Sequence, residues 1–219
     1  MTKIYLVRHC EAEGNKANCY QGVIDLDITE DGAKQLEFLA KRFEPIQIDR
    51  VFSSPLKRAY KTAVAAVRGR GIPVEAVDAL IEVDGGIFEN MPFETMFSEY
   101  PEETRAWNSA LHLFAPKGGE PASAAYERSY RALLSLVQDP ANDGKTLLVS
   151  SHGFFIKSFL CRLMFDNIEK MNDVPWPTNT AVALILYEDG KFSLEYVNDD
   201  SHVPEEFLPI DSRVVTSEI

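Results

Sequence analysis

Short runs of aliphatic and β-branched residues alternate along this chain with segments whose apolar positions recur at helical spacing. Ile4-Tyr5-Leu6-Val7 reads as a buried strand that ends at Arg8-His9. Thr29-Glu30-Asp31 is a helix start, after which Leu36, Leu39, Ala40 and Phe43 mark one helix face. Arg50-Val51-Phe52 predicts a short strand, with Pro55 as the first position of a helix reaching about Val67. Pro73 to Val77 predicts another strand. From Asp84 to Ala122 the pattern is broken by Gly85-Gly86, Pro92, Pro101, Pro116 and Gly118-Gly119, which predicts short helices and loops. Tyr126, Tyr130, Leu133, Leu134 and Val137 form the next helix face. Thr146-Leu147-Leu148-Val149 is a strand, followed by a helix just after His152. Ala181–Tyr187 and Phe192–Val197 flank Asp189-Gly190, the dipeptide of a tight hairpin.

This order predicts an α/β fold, a three-layer αβα sandwich around a mostly parallel mixed sheet with an antiparallel edge. It carries a helical and loop lid insertion at approximately 83–122. No repeat, low-complexity tract or linker interrupts it, so residues 1–219 are expected to form one domain with an extended C-terminal tail at 203–219. His9 and His152 each fall just past the C-terminal end of a predicted buried strand. Ligands bind along that edge in open α/β sheets, so two histidines distant in sequence are expected to meet there.

Composition narrows the partners. The net charge of −12 disfavours nucleic acid and anionic membrane, both of which are held largely through phosphate neutralisation. No apolar run approaches a membrane span, and the N-terminus has no signal-peptide layout, so the cytoplasm is the expected compartment. Cys10, Cys19 and Cys161 have neither a disulfide framework nor a zinc spacing, and no metal or cofactor is expected. An acidic chain that binds an anion must do so with a local cluster of cations. Leu6-Val7-Arg8-His9, Ser53-Ser54-Pro55-Leu56-Lys57-Arg58-Ala59 and Ser150-Ser151-His152-Gly153 supply one. In each of the last two segments a helix N-terminus adds free N–H groups and the positive end of its dipole. The expected ligand is a small phosphorylated substrate or inorganic phosphate.

This series, extended by Asn15, Gly22, Gly32 with Gln35, and Thr62-Ala63, resembles the histidine phosphatase superfamily, which includes the cofactor-dependent phosphoglycerate mutases. The resemblance runs nearly to His202. It implies that His9 attacks phosphorus as a neutral imidazole, while Arg8, Arg58 and His152 hold the equatorial oxygens. It gives Asn15 a neutral donor role, lets the backbone at Gln21 and Gly22 contribute, and makes Glu82 the proton donor, with Asp84 and Glu89 close by in sequence. His202 falls in a region where the family often carries a histidine, and a structural role is expected for it.

Between Val83 and Ala125 the only cations are Arg105 and Lys117, set among Asp84, Glu89, Glu94, Glu99, Glu102, Glu103 and Glu120. Such a lid repels a second phosphate. The expectation is therefore hydrolysis, with a phosphoglycerate mutase and a non-catalytic phosphate-binding module as alternatives. Two departures from the family pattern bear on the site. Cys10 stands where glycine is usual and is expected to crowd the nucleophile's backbone, and Ala12 replaces a hydroxyl residue. Phe88, Phe93, Phe97 and Trp107 either pack the lid or line the entrance. Exposed sheet edges leave a homodimer open.

Overall fold

The computed structural model describes residues 1–208. Six strands, β1 (Thr2–Arg8), β2 (Arg50–Ser53), β3 (Val74–Ala76), β4 (Thr146–Ser151), β5 (Val182–Glu188) and β6 (Lys191–Asp199), form one sheet in the order β3-β2-β4-β1-β5-β6. β1, β2, β3 and β4 pair in parallel, whereas β5 and β6 close the sheet antiparallel beside β1. The α/β expectation thus holds, with the antiparallel edge where the Asp189-Gly190 turn places it. Both turn residues have positive φ, 51° and 79°, as a two-residue hairpin of this hand requires.

The central strands are buried on both faces, and their alternation assigns residues to two cores. Ile4, Leu6, Leu147 and Val149 face a large cluster with Leu133, Phe155 and Phe159. Those last three belong to α7 (Ala122–Gln138) and α8 (Gly153–Phe165). Val7 and Leu148 face the other way, onto Leu36, Leu39, Phe43, Ala63 and Ala66. These residues come from α2 (Glu30–Phe43) and α3 (Lys57–Ala66). A period of two in the strands therefore sorts side chains into the two outer layers. Thr29 caps α2 as expected, its Oγ1 accepting from the Gly32 N–H at 2.9 Å. The remaining α-helices are short: α1 (Glu13–Lys16), then α4 (Phe93–Glu99), α5 (Pro101–Thr104) and α6 (Ala106–Ser109) in the segment between β3 and α7.

Two local expectations are corrected. Pro55 does not open α3, which starts at Lys57 with Leu56 as its N-cap, so Arg58 still lies in the first turn. The tail is not extended where it is described. Glu205–Phe207 forms a 3-10 turn that returns to α2, where Gln35 Nε2 donates to the Phe207 carbonyl at 2.7 Å and Phe207 meets Phe38. An aromatic side chain with an apolar partner on α2 gains more by folding back than by staying in water. Residues 209–219 of the expected tail lie outside the described residues.

His202 has a structural setting. Arg42 pairs with Asp199 at 2.7 Å and lies 3.2 Å from His202 Nδ1. Burial, together with the Arg42 charge, pushes the His202 pKa down to about 4, so the neutral ring accepts from the guanidinium. Among the described residues no helix is long and apolar enough to cross a membrane.

Candidate active site

Parallel pairing of β1 with β4 puts Arg8 opposite Ser151, so the next residue of each chain segment emerges at the same sheet edge. The His9 N–H donates to the Ser151 carbonyl at 2.9 Å, and the His9 and His152 rings sit 5.2 Å apart, tilted by 55°. His9 Nδ1 lies 2.6 Å from the Cys10 carbonyl. A carbonyl can only accept, so Nδ1 carries a hydrogen, and in the neutral ring the lone pair is then on Nε2. The His9 carbonyl in turn receives the Asn179 amide at 3.0 Å, which fixes the backbone behind the ring.

His152 is the N-cap of α8 and is fully buried. Burial, followed by the charge of Arg58, the proximity of His9 and the charge of Arg8, holds its pKa well below the usual histidine value. Its Nε2 is 2.7 Å from Ser54 Oγ, which already accepts the Leu56 N–H at 3.3 Å. With the Ser54 hydroxyl donating to Nε2, the ring hydrogen resides on Nδ1. Among the described residues no acceptor takes that buried Nδ1.

Arg58 is also fully buried. Its Nη1 donates to the Ile24 carbonyl at 2.8 Å and its Nη2 to Gly22 at 2.6 Å and Gln21 at 3.3 Å, while Nε is buried with no acceptor among the described residues. Burial lowers its pKa to about 10 against the opposing fields of Glu82, Glu89 and Asp25, which leaves it charged at neutral pH. Arg8 is held by the Pro177 carbonyl, with Nη1 donating at 2.6 Å. Two guanidinium groups and a neutral imidazole donor thus converge where the acidic chain most needs positive charge.

Glu82 sits across the N-terminus of α8. Its Oε1 accepts from the Val83 and Phe155 N–H groups at 2.9 and 3.0 Å, and its Oε2 from Phe154 at 3.0 Å. Burial raises its pKa, and the hydrogen bonds and Arg58 offset only part of that rise. The neighbouring carboxylates accept backbone N–H groups as well, away from the cavity. Glu89 takes the N–H groups of Val23, Ile24 and Gly85, and Asp84 takes that of Gly86. Of the three acids, Glu82 lines the cavity.

The cavity wall includes Arg8, His9, Asn15, Gln21 and Glu82. Asn15 Oδ1 accepts the Ala12 N–H at 3.0 Å, which leaves its NH2 for a ligand. Gln21 is similar: Oε1 accepts from Gly14 at 3.0 Å, and Nε2 is buried without an acceptor among the described residues. Arg58, His152 and Gly22 do not line the cavity. The first two are completely buried behind its wall, and Gly22 serves packing. A Cβ on Gly22 would stand 2.3 Å from the Val83 carbonyl and 2.1 Å from Glu89 Oε1. Gly22→Ala is expected to destabilise the protein by about 1–3 kcal/mol through this overpacking. Thermal unfolding checks it, and an unchanged melting temperature would show that the loop has room.

Cys10 is not where the sequence suggested. Its side chain turns into the apolar cluster with Val7, Leu36 and Leu39, its N–H donates to Thr62 Oγ1 at 3.0 Å, and burial pushes the thiol up to about 12. The residue accommodates to the core and leaves the cavity uncrowded. At Ala12 the backbone N–H is satisfied by Asn15, so the missing hydroxyl leaves no orphaned donor there.

Sequence reasoning missed part of the wall. Trp176, Tyr20, Phe154 and Cys19 also face the cavity, as do Phe93 and Trp107 from the 83–122 segment. Phe93 and Trp107 therefore both pack and line: their rings are 5.7 Å apart, and Trp107 stacks on Trp176 at 5.7 Å and 18°. Phe88 is wholly core. The available signal was Pro175-Trp176-Pro177, a large ring pinned between two prolines shortly after the histidine-bearing helix. Among the described residues no group of three or more His, Cys, Asp and Glu side chains could hold a metal ion.

Paired strand-end histidines with buried guanidinium groups, on a mixed α/β sheet, define a recognisable class. The chain belongs to the histidine phosphatase superfamily (branch 1), whose model matches residues 4–200. It is 31% identical over 211 residues to phosphoserine phosphatase 1 of Hydrogenobacter thermophilus, a match covering 95% of this chain and 97% of that one. It is likewise 31% identical over 162 residues to the adenosylcobalamin/alpha-ribazole phosphatase of Salmonella typhimurium, covering 74% and 79%. Among solved structures, Bacillus stearothermophilus YhfR matches with a TM-score of 0.87 at 28% identity, covering 92% and 99%. A mutant phosphoserine phosphatase from Entamoeba histolytica in complex with phosphoserine matches with a TM-score of 0.82 at 25% identity, covering 93% and 100%.

Proposed function

We propose that this protein is a phosphomonoester hydrolase for a small phosphorylated metabolite, working through a phosphohistidine on His9. The observation that carries the reading is the meeting of the two rings 5.2 Å apart, with His9 Nδ1 turned to the Cys10 carbonyl and a buried His152 Nδ1 that no described acceptor takes. In the neutral rings this leaves a lone pair on His9 Nε2 and a hydrogen on His152 Nδ1. One is a nucleophile, the other a donor for a phosphoryl oxygen. In the first step His9 Nε2 attacks phosphorus and the ester P–O bond breaks, the leaving oxygen taking a proton from Glu82. In the second, water attacks the phosphohistidine, its proton passes to the Glu82 carboxylate, the P–N bond breaks, and orthophosphate leaves. Arg8, Asn15 and Gln21 hold the phosphoryl oxygens from the cavity wall. The unaccepted Arg58 Nε and His152 Nδ1 behind it reach them once the pocket opens inward around the bound phosphoryl group. Catalysis of this transfer chiefly resides in such positioning.

Hydrolysis is favoured over mutase chemistry by the far wall. Beyond Arg8, the described lining brings no further Arg or Lys, and Tyr20, Phe93, Trp107, Phe154 and Trp176 supply aromatic surface. A bisphosphorylated intermediate would find no second cationic cradle there. Relatives named as phosphatases of phosphoserine and of adenosylcobalamin/alpha-ribazole suggest which small esters to try first. The test is release of inorganic phosphate from a panel of phosphomonoesters in the presence of a chelator. Turnover without added metal is expected. A strict requirement for a divalent ion would sink the mechanism, and interconversion of 3- and 2-phosphoglycerate without phosphate loss would identify a mutase.

A further inference from the structure

Glu82 is held from two sides, and one arginine reaches both. Arg128, on α7, forms a bidentate pair with Glu120, Nε to Oε1 at 2.8 Å and Nη2 to Oε2 at 2.6 Å. Its Nη1 donates to the Ala79 and Ile81 carbonyls at 2.9 and 2.7 Å, and Nη2 also reaches the Glu82 carbonyl at 3.4 Å. A guanidinium has five N–H groups in a rigid fork, and here each has an acceptor. The same guanidinium lies 5.6 Å from the centre of the Phe155 ring, and the Phe155 N–H binds the Glu82 carboxylate. Residues 79–82 have no strand ladder to hold them, since β3 ends at Ala76 and only a 3-10 turn, Asp78–Leu80, follows. The carbonyls of Ala79, Ile81 and Glu82 are held instead by Arg128 from another layer, and that of Leu80 by the Ser151 hydroxyl at 2.8 Å.

We infer that Arg128, locked by Glu120, is the positioning residue for the proton donor: it fixes the backbone of Glu82 and thereby the aim of its carboxylate. The inference rests on the acid role proposed above for Glu82. Arg128 does not line the cavity and touches no reacting atom, so its loss should act through proton transfer and leave anion binding largely intact. That gives it a signature a purely structural residue lacks. Protonation matters for an alkoxide leaving group and little for p-nitrophenolate, which departs without a proton.

The experiment compares kcat/KM for an alkyl phosphate and for p-nitrophenyl phosphate, because kcat/KM covers only the steps up to phosphoenzyme formation. Three variants are measured beside the wild type: Arg128→Lys, Glu120→Gln and Glu82→Gln. Lysine keeps the charge but cannot reproduce the fork. Arg128→Lys is expected to lower the alkyl value by about tenfold, a part of the ~10²-fold that a 1 Å misplacement can cost, with less than about a threefold change for p-nitrophenyl phosphate. Glu120→Gln, which loosens the fork without touching Arg128, should shift in the same sense by a smaller factor, and it decides the matter if Arg128→Lys does not fold. Equal losses on both esters, or no loss on either, would overturn the inference while leaving the Glu82 assignment standing. A Glu82→Gln variant that slows both esters alike would instead remove the acid role, and the positioning role with it.

Discussion

His9→Ala is expected to lower turnover by about 10⁴-fold or more, the largest effect of any single change in this protein, because on the proposed route it removes the group to which phosphorus is transferred. The geometry makes the substitution specific. The imidazole is oriented by a short contact to the Cys10 carbonyl, which alanine loses, while the backbone stays held by Ser151 and Asn179, so the main chain of the site keeps its place. Arg8, Arg58, His152, Asn15 and Gln21 all remain, and phosphate should still bind with affinity close to that of the wild type. Two measurements read this out. Steady-state phosphate release gives the rate, and rapid quenching with a radiolabelled ester gives the covalent intermediate, as label that is stable in base and lost in acid. Wild-type turnover without trapped label, or an alanine variant retaining more than about one hundredth of the rate, would rule out the phosphohistidine route.

The second large effect belongs to Glu82. Glu82→Gln keeps the shape of the side chain and removes the transferable proton, and kcat/KM for an alkyl phosphate is expected to fall by about 10²–10⁴-fold. The pH dependence follows from the direction of the pKa shift. Burial raises the Glu82 pKa above the ordinary carboxylate value, so the protonated, donating form persists to higher pH than for a surface glutamate. Wild-type kcat/KM for alkyl esters should therefore decline as pH rises through that raised pKa, and the glutamine variant should lose this limb. The His152 pKa is pushed the opposite way, well below the usual histidine value, by burial and then by Arg58. A limb unchanged in Glu82→Gln would assign the acid to another group. The same shift carries a stability sign. A carboxyl whose folded pKa is raised binds its proton more tightly in the native state, so its contribution to stability diminishes as pH rises from the unfolded value toward the folded one.

Much of the fold can be read along the chain because it depends on local pattern. β1 and β4 each contain a short apolar run, residues 4–7 and 147–149, largely buried on both faces, as strands covered by helices on both sides require. α2 has its cap at Thr29, and the β5–β6 hairpin has Asp189-Gly190. The 83–122 segment is equally legible as broken chain, but which aromatic points where is not. Phe88 goes to the core while Phe93 and Trp107 also reach the cavity, and the composition is the same for all three. The start of α3 was displaced from Pro55 to Lys57 because proline's fixed φ suits the approach to a helix as well as its first position.

By itself the sequence determined that two histidines and two arginines end up near one sheet edge. Their positions at strand ends and in a helix's first turn are local facts, and the parallel α/β pattern carries them to a common place. Tertiary structure alone decided the chemistry of each group. The tautomer of His9 depends on a carbonyl, the neutrality of His152 on burial among cations, and the preference for Glu82 over Glu89 and Asp84 on which carboxylate lines the cavity. Cys10 points into the α2 core and Arg128 grips residues 79–82 from another layer for the same reason. Hydrogen-bond partners and local dielectric are set by atoms far away along the chain, and no spacing or period in the sequence records them.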